Sequence, residues 1–138
     1  MRDRSRIDDR RAEGTVVIAF AVMVAGALGA VTRFVVDGAI RHRWPSTTPW
    51  GTFAINVSGS ALLGVLAGLV VFHGAPHDWQ LVLGTGFCGG YTTFSTAAFE
   101  TVRLGQQEDR WRSAAYAVGT LVASVFACAA AVWVVWLV

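Results

Sequence analysis

Lysine is absent from this sequence: all 11 basic residues are arginine, set against 9 acidic ones. Charged residues of both signs make up only 14% of the chain while apolar residues reach 54%, which excludes an ordinary soluble domain. Cysteine is scarce, and Cys88 and Cys128 stand singly inside apolar runs. That spacing excludes a disulfide framework, a thiolate metal site and a redox pair, and leaves two small buried residues. His42, His73 and His77 all fall outside the apolar runs, which gives a histidine metal site no support. The most informative absence is of charge within long stretches. Residues 14–32, 50–72, 79–99 and 113–138 contain no Asp, Glu, Lys or Arg. No carboxylate stands in the middle of a run, where proton-coupled transporters place Asp, Glu or His. The links are too short for a soluble catalytic domain, so no enzyme is expected.

What is present is bilayer-sized. The shortest uncharged run, 19 residues, spans ~28 Å as a helix, close to the hydrocarbon thickness of a membrane. Trp44, Trp50, Trp79, Trp111, Trp133 and Trp136 lie near the ends of the runs, where an indole prefers the headgroup layer. Ala25-Gly26-Ala27 has the small residues of a signal-cleavage site. The preceding segment, however, mixes Asp3, Asp8, Asp9 and Glu13 with its arginines, and the apolar run continues past Ala27. The reading is an all-α membrane protein with a polar tail over 1–13 and one transmembrane domain over 14–138. Its four spans are approximately 14–40, 50–72, 79–103 and 113–138.

The arginines do not orient these spans. Arg2, Arg4, Arg6, Arg10 and Arg11 fall on one side, and Arg41, Arg43, Arg103, Arg110 and Arg112 on the other, with Arg33 near the end of the first span. The positive-inside rule therefore returns a tie. Either the rule is noisy in a short chain, or the protein inserts in both orientations and two copies pair head to tail, as inverted repeats do within larger transporters.

Residues 84–96 carry the strongest motif, Gly-Thr-Gly-Phe-Cys-Gly-Gly-Tyr-Thr-Thr-Phe-Ser-Thr. Gly84, Gly86, Gly89 and Gly90 invite the third helix to open, because glycine weakens a helix interior by ~1 kcal/mol. Broken backbone at membrane depth is tolerated only inside protein or along a wet cavity, and such breaks host ion sites. In the second span Asn56, Ser60, Gly64 and Gly68 recur every four residues on one face, the two glycines forming a seam for close helix approach. Asn56 is either interhelical glue or a donor to an anion. In the fourth span Tyr116, Thr120 and Ser124 make a hydroxyl stripe. Its members either bond back to their own helix or donate to a passing anion. Glu100 is within helical reach of Arg103 and reads as a solvated or interfacial ion pair. Arg33 either pairs with Asp37 one turn on or faces a vestibule that attracts anions. Hydroxyls, an amide and aromatic edges without a buried charge suit a small anion crossing passively.

These residues resemble the Fluc/CrcB family of bacterial fluoride channels over nearly all the chain after the tail. The matching motifs are Gly26-Ala-Leu-Gly-Ala-Val-Thr-Arg33-Phe34, Gly51-Thr-Phe-Ala-Ile-Asn56-Val-Ser-Gly-Ser60 and Gly86-Phe-Cys-Gly-Gly-Tyr-Thr-Thr-Phe-Ser-Thr96, together with the Tyr116, Thr120, Ser124 stripe. The resemblance implies a four-helix subunit, broken in its third helix, that forms an antiparallel dual-topology dimer with two fluoride pores in the bacterial plasma membrane. It implies a structural sodium ion on the dimer axis, held by the backbone carbonyls of Gly89 and Thr92. It also implies a fluoride pathway through Asn56, Phe94, Ser95, Thr96, Tyr116, Thr120 and Ser124. The implied partners are fluoride, membrane lipid and a second subunit, identical or paralogous, with no nucleic acid. One position departs from the pattern. Where the family continues Phe-Ser-Thr-Phe, this chain has Phe94-Ser95-Thr96-Ala97, and Phe99 lies about 200° further round the helix. A homodimer would keep one of the two usual pore phenylalanines, unless a paralogue supplies the other.

The leading reading is thus a passive channel that exports cytoplasmic fluoride and so relieves its toxicity. The alternatives are a non-conducting or half-pore subunit of a heterodimer, and a small multidrug-type proton antiporter. The antiporter needs a membrane-embedded glutamate, for which neither Glu13 nor Glu100 is well placed in the sequence.

Overall fold

The computed structural model describes residues 2–46, 48–107 and 110–138, with side chains described from Glu13 onward. Among these residues there are helices and no strands. Helix α1 (Arg2–Arg43) is followed by α2 (Trp50–His73), then by a short α3 (His77–Trp79) that runs into a π-helical segment (Gln80–Cys88) and α4 (Gly89–Tyr91). The chain ends with α5 (Phe94–Gln106) and α6 (Arg110–Leu137). The helix of α1 extends back through the polar tail, which the composition alone did not require; the side chains of its N-terminal arginines lie outside those described. Three helical stretches are long and apolar enough to cross a membrane: Glu13–Arg43, Trp50–His73 and Arg110–Leu137. The third apolar run of the sequence is helical too, but in pieces.

Small residues set how closely these helices lie. Along α2, a Cβ on Gly64 would fall on the carbonyl oxygen of Cys128, and one on Gly68 would stand 2.9 Å from Cβ of Val135. The expected seam therefore exists, and α6 is what fills it. A second seam joins α1 to the π segment and α4. A Cβ on Gly86 would stand 2.8 Å from the carbonyl oxygen of Val22, and one on Gly90 would overlap that of Gly26. The π segment is widened, with the Gly89 N–H reaching back five residues to Gly84 O. Gly86 and Gly90 thus bring backbones together, whereas Gly84 faces the Leu63 side chain and a Cβ on Gly89 would meet nothing within 4 Å.

The break comes later, at Thr92 and Thr93, whose backbones are extended (φ −78°, ψ 159° and φ −150°, ψ 117°). Elsewhere the ends follow local rules. Helix α2 stops at Gly74 in the left-handed region (φ 62°), with its N–H and that of Ala75 both returning to Leu69 O. Gly51, in the first turn of α2, leaves room for the Asp37 carboxylate of α1, a placement that the helix dipole favours.

Large apolar side chains cover the outside, among them Val31 and Phe34 of α1 and Leu121, Val125 and Phe126 of α6. The few buried positions include Thr52, Ile55, Leu66, Thr93, Glu100 and Thr120. An apolar exterior with polar groups inside is the arrangement of a multi-pass membrane protein.

The seams predict an asymmetry between glycines. Gly90→Ala should lower the thermal stability of the detergent-solubilised protein, since overpacking a close contact costs about 1–3 kcal/mol. Gly38→Ala, where a Cβ meets nothing within 4 Å, should leave it equal or higher, because alanine favours helix.

Candidate functional site

At the break the chain loses the regular helical ladder, and one side chain compensates. The Thr93 N–H donates to Asn56 Oδ1 at 2.8 Å, and Asn56 Nδ2 donates to Thr93 O at 3.0 Å. The primary amide of Asn56 thereby pairs with the main chain of Thr93 at both ends. Thr93 then starts α5 as its N-cap: its Oγ1 accepts from the Thr96 N–H at 3.2 Å and donates to Thr96 Oγ1 at 3.0 Å, with Ser95 Oγ at 3.3 Å. On the other side of the break, Thr92 Oγ1 and N–H both donate to Cys88 O, at 2.8 and 2.9 Å. Arg33 Nη1 reaches the Thr92 carbonyl at 3.5 Å.

Beside the break lies a groove of about 740 Å³, walled by α2, the π segment, α5 and α6. Asn56, Phe94, Tyr116, Thr120 and Ser124 all line it, together with Gly89, Thr92 and Ala97. Phe94 borders the groove and is 89% exposed in the single chain. Thr120 Oγ1 and Ser124 Oγ are buried and make no bond to the carbonyls of their own helix; the Thr120 hydroxyl lies beside that of Tyr116, and Ser124 Oγ has no partner among the described residues. That is costly for a hydroxyl held away from water, and it rules out back-bonding as the account of this stripe. Tyr116 is different: its hydroxyl donates to Glu100 Oε2 at 2.9 Å.

Other expected residues fall elsewhere. Ser95 and Thr96 belong to the hydroxyl cluster around Thr93 and do not line the groove. Arg33 is half-buried on the α1 side, bonded to Thr92 O, and neither pairs with Asp37 nor lines the groove. Asp37 pairs instead with Arg41, Oδ2 to Nε at 2.9 Å. Phe99 points away from the groove while Ala97 lines it, so the position lacking the second phenylalanine does face the same space as Phe94.

Glu100 is the residue that sequence reasoning misplaced. It is 7% exposed, not solvated, and its partner is Arg41 of α1 (Nη2 to Oε1, 3.2 Å) rather than Arg103. A buried carboxylate must be paired to be tolerated, and Arg41 and Tyr116 take one oxygen each. A local signal existed: Thr93, Glu100 and Leu104, spaced by seven and four, form the buried side of α5.

The sequence matches the CrcB-like protein family (camphor resistance) over residues 20–134. It is similar to the fluoride-specific ion channel FluC 1 of Leifsonia xyli subsp. xyli, 47% identical over 119 residues, covering 86% of this chain and 87% of the relative. It is also similar to the fluoride-specific ion channel FluC 2 of Mycobacterium tuberculosis H37Rv, 46% identical over 120 residues, covering 87% and 92%. The protein of the same name from Cutibacterium acnes is 45% identical over 107 residues, covering 77% and 87%. All three relatives are named as channels and none as an enzyme.

The amide pairing yields a direct expectation. Asn56→Leu keeps the bulk but leaves the Thr93 N–H and carbonyl unpaired, so stability should fall by about 1–3 kcal/mol. Hydrogen exchange followed by mass spectrometry should show faster exchange confined to the peptide spanning residues 92–96.

Proposed function

The chain belongs to the CrcB-like family and is not an enzyme; from that membership we propose that it is a passive, fluoride-selective channel that lets toxic cytoplasmic fluoride out of the cell. The observation that supports this reading is the stripe of Tyr116, Thr120 and Ser124, residues that line the groove beside Asn56 and Phe94 and of which the last two keep buried hydroxyls off their own helix. Each hydroxyl can donate one hydrogen bond, and the Asn56 amide carries a second hydrogen beyond the one given to Thr93. The ring edge of Phe94 bears the positive end of its quadrupole. The N-terminus of α5 adds a fixed partial positive charge close by. A small, strongly accepting anion can exchange its water for these donors one after another. A larger halide fits such a track less well, since selectivity follows pore width and the donors that line it.

In this reading residues 77–106 form the third, broken crossing, and two copies assemble antiparallel in the bacterial plasma membrane with lipid against their apolar exteriors. The carbonyls of Gly89 and Thr92 are the oxygens offered to a structural sodium ion; Arg33 Nη1 reaches the Thr92 oxygen at 3.5 Å, so the ion would take that oxygen's other lone pair or displace the guanidinium. The Thr93 N–H that would close a helical turn on Gly89 O is taken by Asn56, and carbonyl oxygen is a donor type that hard cations accept. Two carbonyls fall short of a full shell, so the site would be completed by a second copy. Sodium would supply fixed positive charge and hold the interface together; it takes no part in moving fluoride. The partner is either an identical chain or a paralogue. Ala97 favours the second, because it leaves open in the groove the place that a phenylalanine occupies in the family pattern.

Glu100, buried as it is, is the residue that a proton antiporter would use, and transport energetics separate the two. Liposomes holding this chain should release fluoride without a proton gradient and with little chloride flux. Phe94→Ile, which removes the ring edge and keeps apolar bulk, should cut that release at least ten-fold. Strict dependence on a proton gradient would make the protein an antiporter, and comparable chloride flux would remove the fluoride channel.

A further inference from the structure

A second cavity, of about 390 Å³, sits at the turn between α1 and α2, and Arg41, Trp44, Trp50, Glu100, Arg103 and Gln107 are among its walls. Glu100 links it to the groove: one carboxylate oxygen meets Arg41, the other the hydroxyl of Tyr116, the first member of the stripe that lines the groove. A wall residue of the cavity, Glu100, is thus hydrogen-bonded to a wall residue of the groove, Tyr116. An anion coming from this end must pass a carboxylate, and the local charges do not cancel. Arg41 serves both Asp37 and Glu100, one cation for two carboxylates. Arg103, one turn after Glu100 on α5 and exposed, lines the same cavity and makes no ion pair among the described residues. The walls of the cavity thus hold two guanidinium groups, Arg41 and Arg103, and one carboxylate, Glu100; Asp37 bonds Arg41 from outside them.

We propose that this cavity is the antechamber of the anion pathway and that Arg103 is the cation that draws small anions into it. The inference rests on the channel reading and adds a residue to it. Arg41 is committed to its carboxylates, so among the described wall residues Arg103 is the cation left to meet an incoming anion. It acts through its field more than through tight binding. A single exposed charge raises the local concentration of counter-ions and hence the rate of capture, and weak holding is what conduction requires. The field is long-ranged at low salt and short-ranged at high salt, with a Debye length of about 30 Å at 0.01 M and about 3 Å at 1 M.

The test is fluoride efflux from liposomes, measured by electrode, for the full chain and for Arg103→Lys, Arg103→Gln and Arg103→Glu at low and high ionic strength. At about 10 mM salt the glutamine variant should release fluoride roughly ten-fold more slowly, within the range of electrostatic steering, and the glutamate variant more slowly still. Lysine should keep the wild-type rate, because a point charge is sufficient. Near 1 M salt the four rates should converge. Wild-type liposomes that release no fluoride, whether they hold this chain alone or together with a paralogue that keeps the second phenylalanine, would overturn the channel reading and this one together. A conducting wild type whose rate is indifferent to the charge at 103 would overturn the antechamber alone. So would an equal loss at both salt concentrations that lysine shares, since that marks a structural guanidinium.

Discussion

The pairing of the Asn56 side-chain amide with the main chain of Thr93 is the contact on which the site depends. A bilayer supplies no hydrogen bonds, so a helix that breaks within it must find partners for the groups it frees. Asn56 carries a donor and an acceptor at the spacing of a peptide unit and meets both Thr93 N–H and Thr93 O. It thus lets α5 begin anew without leaving that peptide unpaired. The direction of α5 then places Phe94 in the groove and turns Glu100 inward to Tyr116. A single asparagine on α2 connects the backbone of the third apolar run to the lining of the groove.

Much of this could be read from the sequence, for reasons that can be named. The uncharged runs, the α2 glycine seam and the hydroxyl stripe are local periodicities, and each reappears in the structure as a helix face. The region of the break was legible but its cause was not. Gly86 and Gly90 are small because α1 lies against them, a fact about a helix some 60 positions earlier in the chain. The opening itself falls at two threonines, where extended backbone suits a β-branched residue. The pairings of Arg33, Arg41 and Glu100 were missed for the same reason. Arg33–Thr92 and Arg41–Glu100 each join residues 59 positions apart, whereas helical spacing suggests only partners three or four residues away.

The burial of Glu100 changes the electrostatic picture of a pathway that looked free of charge in the sequence. A carboxylate at the head of a donor stripe competes with an anion for the hydroxyl of Tyr116. Its bond to Arg41 lowers that competition, and Arg41 is itself held by Asp37 against the first turn of α2. Thr120 and Ser124, one and two turns further along α6, meet no carboxylate among the described residues. The gradation from a hydroxyl engaged by a carboxylate to two that are not gives the stripe a polarity. In an antiparallel pair the two copies would present that polarity in opposite senses.

The claim that the groove hydroxyls carry fluoride has a direct test in which stability and transport separate. In the double variant Thr120→Val, Ser124→Ala, two buried hydroxyls that make no bond to their own helix are replaced by apolar groups of similar or smaller size. Removing unsatisfied buried polar groups is neutral or stabilising, so the thermal stability of the purified protein should hold or rise. Fluoride efflux from liposomes should nonetheless fall at least ten-fold. Undiminished efflux from a stable double variant would contradict the account and place the anion's path elsewhere in the molecule.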